Sequence, residues 1–167
     1  MHAEGWTIGL HQSYEAWQDA VKMQDERKHL ETALDASVTT CRQHWLRFSF
    51  ADTWRCQEVA GLKQDMTLGF NDRPGFRNGS ALAFRPWNGE KRRSMDIVSV
   101  PMVMMDSHFY DYKQLREEEV TIEMTKWVRE IKEVHGQATV IWHQRVMSQD
   151  YGWGDGYKSL LTLVSER

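Results

Sequence analysis

Cysteine is scarce in this 167-residue chain: Cys41 and Cys56 are the only two, and they stand outside any C-x-x-C spacing. That excludes a disulfide-stapled secreted scaffold and leaves two reduced thiols in or near a core. Long hydrophobic runs are absent as well. No stretch reaches the ~18 to 20 consecutive apolar residues of a membrane span, and the N-terminus lacks the basic start and apolar core of a signal peptide. A soluble, cytoplasmic chain is the expectation. An excess of one charge is also missing: 21 basic residues face 24 acidic ones, for a formal net charge of -3. No global field draws the chain to nucleic acid or to an anionic membrane. The basic cluster Lys91-Arg92-Arg93 reads as a solvated turn. No internal repeat or low-complexity tract is present.

What the chain does have is a recurring pattern in which an apolar or β-branched strand runs into a histidine. It occurs at Thr7-Ile8-Gly9-Leu10-His11, at Val38-Thr39-Thr40-Cys41-Arg42-Gln43-His44, and at Ala138-Thr139-Val140-Ile141-Trp142-His143. Any one of these histidines is most simply a satisfied core residue. Three at strand ends point to a site, because the ends of parallel strands are where a packed core gives way to functional loops.

Helical patterns alternate with these strands. Ser13 is a candidate N-cap for a helix carrying Trp17, Val21, Met23, Leu30 and Leu34 up to about Asp35. Residues 51–59 read as a short helix closed by Gly61, and residues 66–70 as a third strand. Pro74, Pro86, Gly75, Gly79 and Gly89 then mark 71–93 as a long loop. Its interleaved aromatics and arginines predict order, with the loop lying over the site. Residues 95–105 form an apolar strand ending at Asp106. A helix follows from about Arg116, with Val120, Met124, Trp127, Ile131 and Val134 spaced four, three, four and three apart, and Gly136 ends it. The His143 strand and a last helix with Trp153, Tyr157, Leu160, Leu161 and Val164 complete the chain.

Strands alternating with helices predict an α/β fold with a parallel sheet, in one domain. At this length the expected architecture is a partial or distorted (β/α) barrel, since a full eight-unit barrel takes ~200 residues or more. Eight tryptophans are more than a small core needs. They serve either as core or as aromatic platforms for sugar faces.

Several runs together carry a family resemblance: Ile8-Gly9-Leu10-His11-Gln12-Ser13-Tyr14-Glu15, Arg42-Gln43-His44-Trp45-Leu46-Arg47-Phe48, Asp65-Met66-Thr67-Leu68-Gly69-Phe70, Gly75-Phe76-Arg77-Asn78-Gly79 with Phe84-Arg85-Pro86-Trp87, residues 101–106, and Ile141-Trp142-His143. In order and spacing the chain resembles the polysaccharide deacetylase-like (NodB homology) proteins of bacterial surface-carbohydrate metabolism. The match extends through residues 152–157. The resemblance implies a distorted barrel with a divalent metal, usually zinc, whose bound water attacks an acetyl carbonyl of an oligo- or polysaccharide.

His11 matches the first histidine of the family's metal-binding element, and Glu15 stands where the second would be. Glu15 is either a carboxylate ligand or a solvated first-turn residue. Arg42, His44 and Arg47 fall on the arginine-containing groove motif, where they contact substrate or pair with nearby carboxylates. His143 matches the family's general acid. Asp106 either orients His143, binds substrate or caps its own turn. Arg77 and Trp87 lie on substrate-binding segments, Arg77 facing a sugar carboxylate or phosphate or else pairing within its loop.

The resemblance also names what is missing. The family's first strand, ending in two aspartates that supply the base and a metal ligand, belongs upstream of Gly5, where four residues stand. The chain therefore reads as the C-terminal portion of such a domain, with an N-terminal partner segment or self-association covering its sheet edge. Two functions follow from this: a metal-dependent carbohydrate deacetylase completed by that segment, or a catalytically silent carbohydrate-binding or assembly protein.

Overall fold

A computed structural model of the chain describes residues 4–165. It has a mixed α/β fold made of two compact units, one comprising residues up to Leu68 with Ala83–Val100, the other Gly69–Leu82 with the remainder from Pro101. Among the described residues, no helix is long and apolar enough to cross a membrane.

In the first unit, β1 (Leu10–Gln12), β2 (Thr40–Gln43), β3 (Gln64–Asp65) and β6 (Val98–Ser99) form a parallel sheet in the order β1-β2-β3-β6. The intervening antiparallel pair β4 (Trp87–Asn88) and β5 (Arg93–Ser94) is a small separate hairpin. Helices α1 (Ala20–Leu34) and α2 (Thr53–Val59) connect the first three strands. Register places Leu10 opposite Cys41, Cys41 opposite Asp65 and Asp65 opposite Ser99, so one row of buried side chains crosses all four strands. Leu10 and Cys41 pack with Met23, Trp54, Leu62, Leu68 and Ile97 into the unit's core.

Several expectations are corrected here. Ser13 does not cap α1: its backbone N–H donates to Glu26 at 3.0 Å and its hydroxyl donates to the same carboxylate. Asp19 takes the capping role, accepting from Val21 N and Lys22 N at 3.0 Å each, and the helix starts later than the apolar pattern suggests. Val21 consequently faces solvent, 69 % exposed. Residues 66–70, read as the third strand, lie outside any strand: β3 is Gln64–Asp65, and the chain turns after it, with Thr67 donating its N–H, at 3.2 Å, and its hydroxyl to the Asp65 side chain instead of extending the ladder.

The apolar run 95–105 is two strands, β6 and β7 (Met102–Met105), broken at Pro101, which has no N–H to donate to a ladder. The stretch 71–93 is likewise not one loop. Its first part belongs to the second unit, while Phe84 bridges Ser99 and the β4–β5 hairpin belongs to the first.

In the second unit, β7 pairs in parallel with β8 (Thr139–Ile141), with a register irregularity between Met102 and Met104. A five-residue π-helix, His108–Tyr112, follows β7 after Asp106 and Ser107. Helix α3 (Glu117–Glu133) opens with Arg116 donating its backbone N–H at 2.9 Å and its Nε at 3.2 Å to Glu119, and three glutamates in the first turn suit the positive end of the helix dipole. It buries Val120, Met124 and Val128, and it packs against α4 (Gly154–Ser165) through Leu160 and Leu163 around Val103, Met104 and Phe109. Val134, expected on the apolar face, lies beyond the helix and is 54 % exposed.

Candidate functional site

Two groups of side chains hold the residues that the sequence singles out, one in each unit.

In the second unit, Asp106 and His143 come together at the adjacent ends of β7 and β8. Strand pairing does this, because Met105 stands opposite Ile141 and each polar residue follows within two positions. Asp106 is fully buried and makes a dense set of bonds: it accepts from Ser107 N at 2.7 Å, from His143 N at 2.6 Å, and from His143 Nδ1 at 2.8 and 3.0 Å. A carboxylate oxygen accepts, so Nδ1 is the donor of this pair and Nε2 is the ring nitrogen that Asp106 does not engage. The His143 side chain is 39 % exposed and its partner is not exposed at all, an arrangement that presents one imidazole nitrogen while fixing the other.

Beside this pair lies a residue the strand-end pattern missed. His108 is fully buried, accepts from Met105 N at 3.2 Å through Nδ1 and donates to Phe70 O at 3.0 Å through Nε2. Both bonds require the neutral ring, and burial pushes its pKa down to about 4. It thus fixes the end of β7 just where Asp106 leaves it. The signal was in the sequence as a histidine two positions after the strand-end aspartate. A row of aromatic residues continues from there: Tyr110 stacks on Trp153 with centroids 4.6 Å apart, and its edge meets Trp142 at 6.2 Å. Tyr110 also donates to Glu117 at 2.8 Å. Arg77, on the 69–82 segment of this unit, is half-buried.

In the first unit, His11 and Arg42 are register partners on β1 and β2. The His11 ring lies 5.2 Å from that of His44, which in turn meets Tyr14 edge-on at 6.1 Å. Arg47 packs over Tyr14 at 4.1 Å and over Trp17 at 4.9 Å, while its Nη1 donates to Tyr14 O at 2.9 Å. The arginine therefore clasps the turn after β1, and Glu15, 3.4 Å from the same Nη1, completes that clasp. Arg42 donates its Nε to Met66 O at 3.0 Å, and burial lowers its guanidinium from the ordinary value while Asp65 opposes the shift. Trp87, on β4, is 65 % exposed.

Asp65, which sequence reading treated only as part of a motif, is the hub beneath these strand ends. It accepts from Trp54 Nε1 at 3.1 Å, Gln57 Nε2 at 2.9 Å, and both donors of Thr67. Burial raises its carboxyl above the usual range, against those donors, which pull it down. The seam continues through Gln43, whose N–H donates to Thr67 at 3.0 Å and whose amide donates to Gln12.

A tight zinc site takes three or four protein ligands, and among the described residues no three His, Cys, Asp or Glu side chains converge. Of the two expected ligands, His11 neighbours a second imidazole and Glu15 is engaged with Arg47. No family model and no curated protein matches the chain.

Proposed function

We propose that the protein is a polysaccharide deacetylase-like protein that takes an acetylated oligo- or polysaccharide, with Asp106 and His143 as its acid–base pair. The observation that supports this reading is the buried carboxylate held on Nδ1 of a half-exposed imidazole. A histidine so oriented transfers a proton at Nε2 to a leaving oxygen or nitrogen, while the carboxylate stabilises the imidazolium form that precedes the transfer. In deacetylation water adds to the acetyl carbonyl and gives one proton to His143 Nε2; the C–O or C–N bond then breaks, the imidazolium returns that proton to the sugar's oxygen or nitrogen, and acetic acid departs and ionises to acetate. The proposal includes the finer architecture, a partial or distorted (β/α) barrel, which the parallel pairing of β1-β2-β3-β6 and of β7-β8 supports.

A second reading is a catalytically silent carbohydrate-binding or assembly protein. Glu15, the second expected metal ligand, lies 3.4 Å from Arg47 Nη1 in an ion pair, which favours it. One experiment separates the two. Chitotetraose and acetylated xylotetraose are incubated with the full chain, with and without added zinc, and acetate release and binding are measured for the wild type and His143→Ala. Acetate release abolished by the substitution supports the hydrolase; binding without release supports the silent protein. Neither binding nor release refutes both.

A further inference from the structure

A cavity of about 210 Å³ lies in the first unit at the amino-terminal ends of β1 and β2, opposite the end where Gln12 and Gln43 leave the sheet. Trp6 and Ile8, on the segment leading into β1, form one wall. Leu34, Ala36, Ser37 and Thr39, on the connection from α1 to β2, form the other. The second wall is pinned, because Val38 N donates to the Glu31 side chain at 2.9 Å and so holds the chain leaving α1 against its last turn. The cavity is thus preformed, as binding sites for small molecules usually are. Its volume falls below the ~300 to 1,000 Å³ of sites for drug-sized ligands, so a head group of a few non-hydrogen atoms is what it admits. Trp6 is 62 % exposed, and its indole gains little from burial in the fold.

The electrostatics of the cavity call for a cation. Helix α1, 15 residues long, ends at its wall and presents the negative end of the helix dipole there. A basic residue in the last turn normally offsets that end; α1 has none, carries Glu31 instead, and runs into the exposed Asp35. Arg27 offsets Glu31 from 3.6 Å, one turn back. Glu31 O takes the N–H groups of both Asp35 and Ala36, so among the described residues the carbonyls of Thr32, Ala33 and Leu34 receive no backbone N–H. An indole face is the strongest aromatic partner for a cation. The apolar side chains of Ile8, Leu34 and Ala36 suit methyl groups around the charge, whereas a primary ammonium would need acceptors for three N–H donors. We infer that this cavity binds a small quaternary ammonium ion, its methyl groups on Trp6 and the apolar wall and its charge toward the end of α1. The inference is independent of the carbohydrate reading.

The test titrates the full chain with tetramethylammonium chloride, choline chloride and, as a neutral isostere, 3,3-dimethyl-1-butanol. NMR follows the Trp6 indole N–H and the amides of Ser37 and Thr39. The two cations shift these signals and the alcohol leaves them in place. Trp6→Leu, which keeps an apolar side chain without the π face, weakens binding about tenfold. Asp35 has φ 50°, a left-handed conformation that asparagine also adopts, so Asp35→Asn removes the charge without disturbing the turn and weakens binding about threefold. Phosphatidylcholine vesicles identify the source of the ligand: co-sedimentation that free choline inhibits marks a lipid head group, choline binding without co-sedimentation marks a free ion, and either supports the inference. An equal response to the neutral alcohol makes this an ordinary apolar cavity and overturns it. Wild-type affinity in Trp6→Leu, or no shift at these three residues with either cation, overturns it as well.

Discussion

Replacing Asp106 should be among the costliest single changes in the second unit. The carboxylate is fully buried and accepts from two backbone donors, Ser107 N and His143 N, as well as from His143 Nδ1. Hydrogen bonds to a charged group contribute about 1.5 to 3 kcal/mol each, so the two backbone bonds alone sum to about 3 to 6. Removing the carboxylate also removes its own desolvation cost, several kcal/mol, but leaves both backbone N–H groups without their acceptor. Asp106→Ala should therefore destabilise by about 3 kcal/mol. Asp106→Asn keeps the shape, yet in either flip its –NH₂ faces a backbone N–H, so about 2 kcal/mol is expected. The side-chain link to His143 is worth less, because that imidazole is 39 % exposed and solvent screens it. A double-mutant cycle with His143→Ala should give a coupling of about 1 kcal/mol. Urea unfolding supplies the energies, and amide exchange at Thr139–Ile141 tests whether the loss is local to β8. Asp106→Ala costing less than about 1 kcal/mol would refute the reasoning, since the carboxylate would then not hold the two strand ends.

Other perturbations probe the remaining contacts. His108 is neutral when folded, with its pKa pushed down to about 4 from 6.5, so between those values the unfolded chain binds more protons. Its contribution is complete above pH 6.5 and is lost as pH falls to about 4, of order 2 kcal/mol in all. The stability difference between the wild type and His108→Gln should narrow by that amount from pH 7 to pH 4; a pH-independent difference rejects the assignment. Arg47→Lys should destabilise by about 1 kcal/mol, nearly as much as Arg47→Ala, because the stacking on Tyr14 and Trp17 needs a planar guanidinium. Equal melting of Arg47→Lys and wild type would reduce the contact to a point charge. A Cβ at Gly69 would lie 2.7 Å from Met102 O, a backbone atom that cannot swing aside. Gly69→Ala should cost at least about 2 kcal/mol in urea unfolding, and a neutral effect would mean that the two segments do not approach so closely.

The alternation of strand and helix was legible because it rests on apolar spacing. The α3 pattern at Val120 and Met124 survives as a buried face, and strand ends fall near the histidines. Boundaries were less legible, because local polar bonds decided them. Asp19 outcompeted Ser13 as a cap since Glu26 had already taken Ser13, a contact across 13 positions that no window reveals. Thr67, by bonding back to Asp65, kept 66–70 out of the sheet and left β3 as the two residues before it. Of the site, Asp106 and His143 were legible as strand-end polar residues, and their pairing was one of the roles open to Asp106. His108 was hidden inside a π-helix, a rare turn whose only sequence trace is spacing.

The two groups differ in what their polar residues are committed to. In the first unit the arginines that a sequence assigns to substrate are already engaged: Arg47 clasps Tyr14, Trp17 and Glu15, and Arg42 bonds the chain at Met66. Beneath them the polar seam from Gln12 through Gln43 and Thr67 to Asp65 is wholly interior, which in a low-dielectric core favours one arrangement of strand ends over its alternatives. The seam and the clasp together fix the ends of β1 and β2. In the second unit the same logic is inverted, since there the buried partner, Asp106, holds the exposed one directly. Substitutions at Arg42 and Arg47 should therefore lower the unfolding midpoint in thermal melting, and unchanged midpoints would show that their bonds to Met66 O and Tyr14 O do not hold these strand ends.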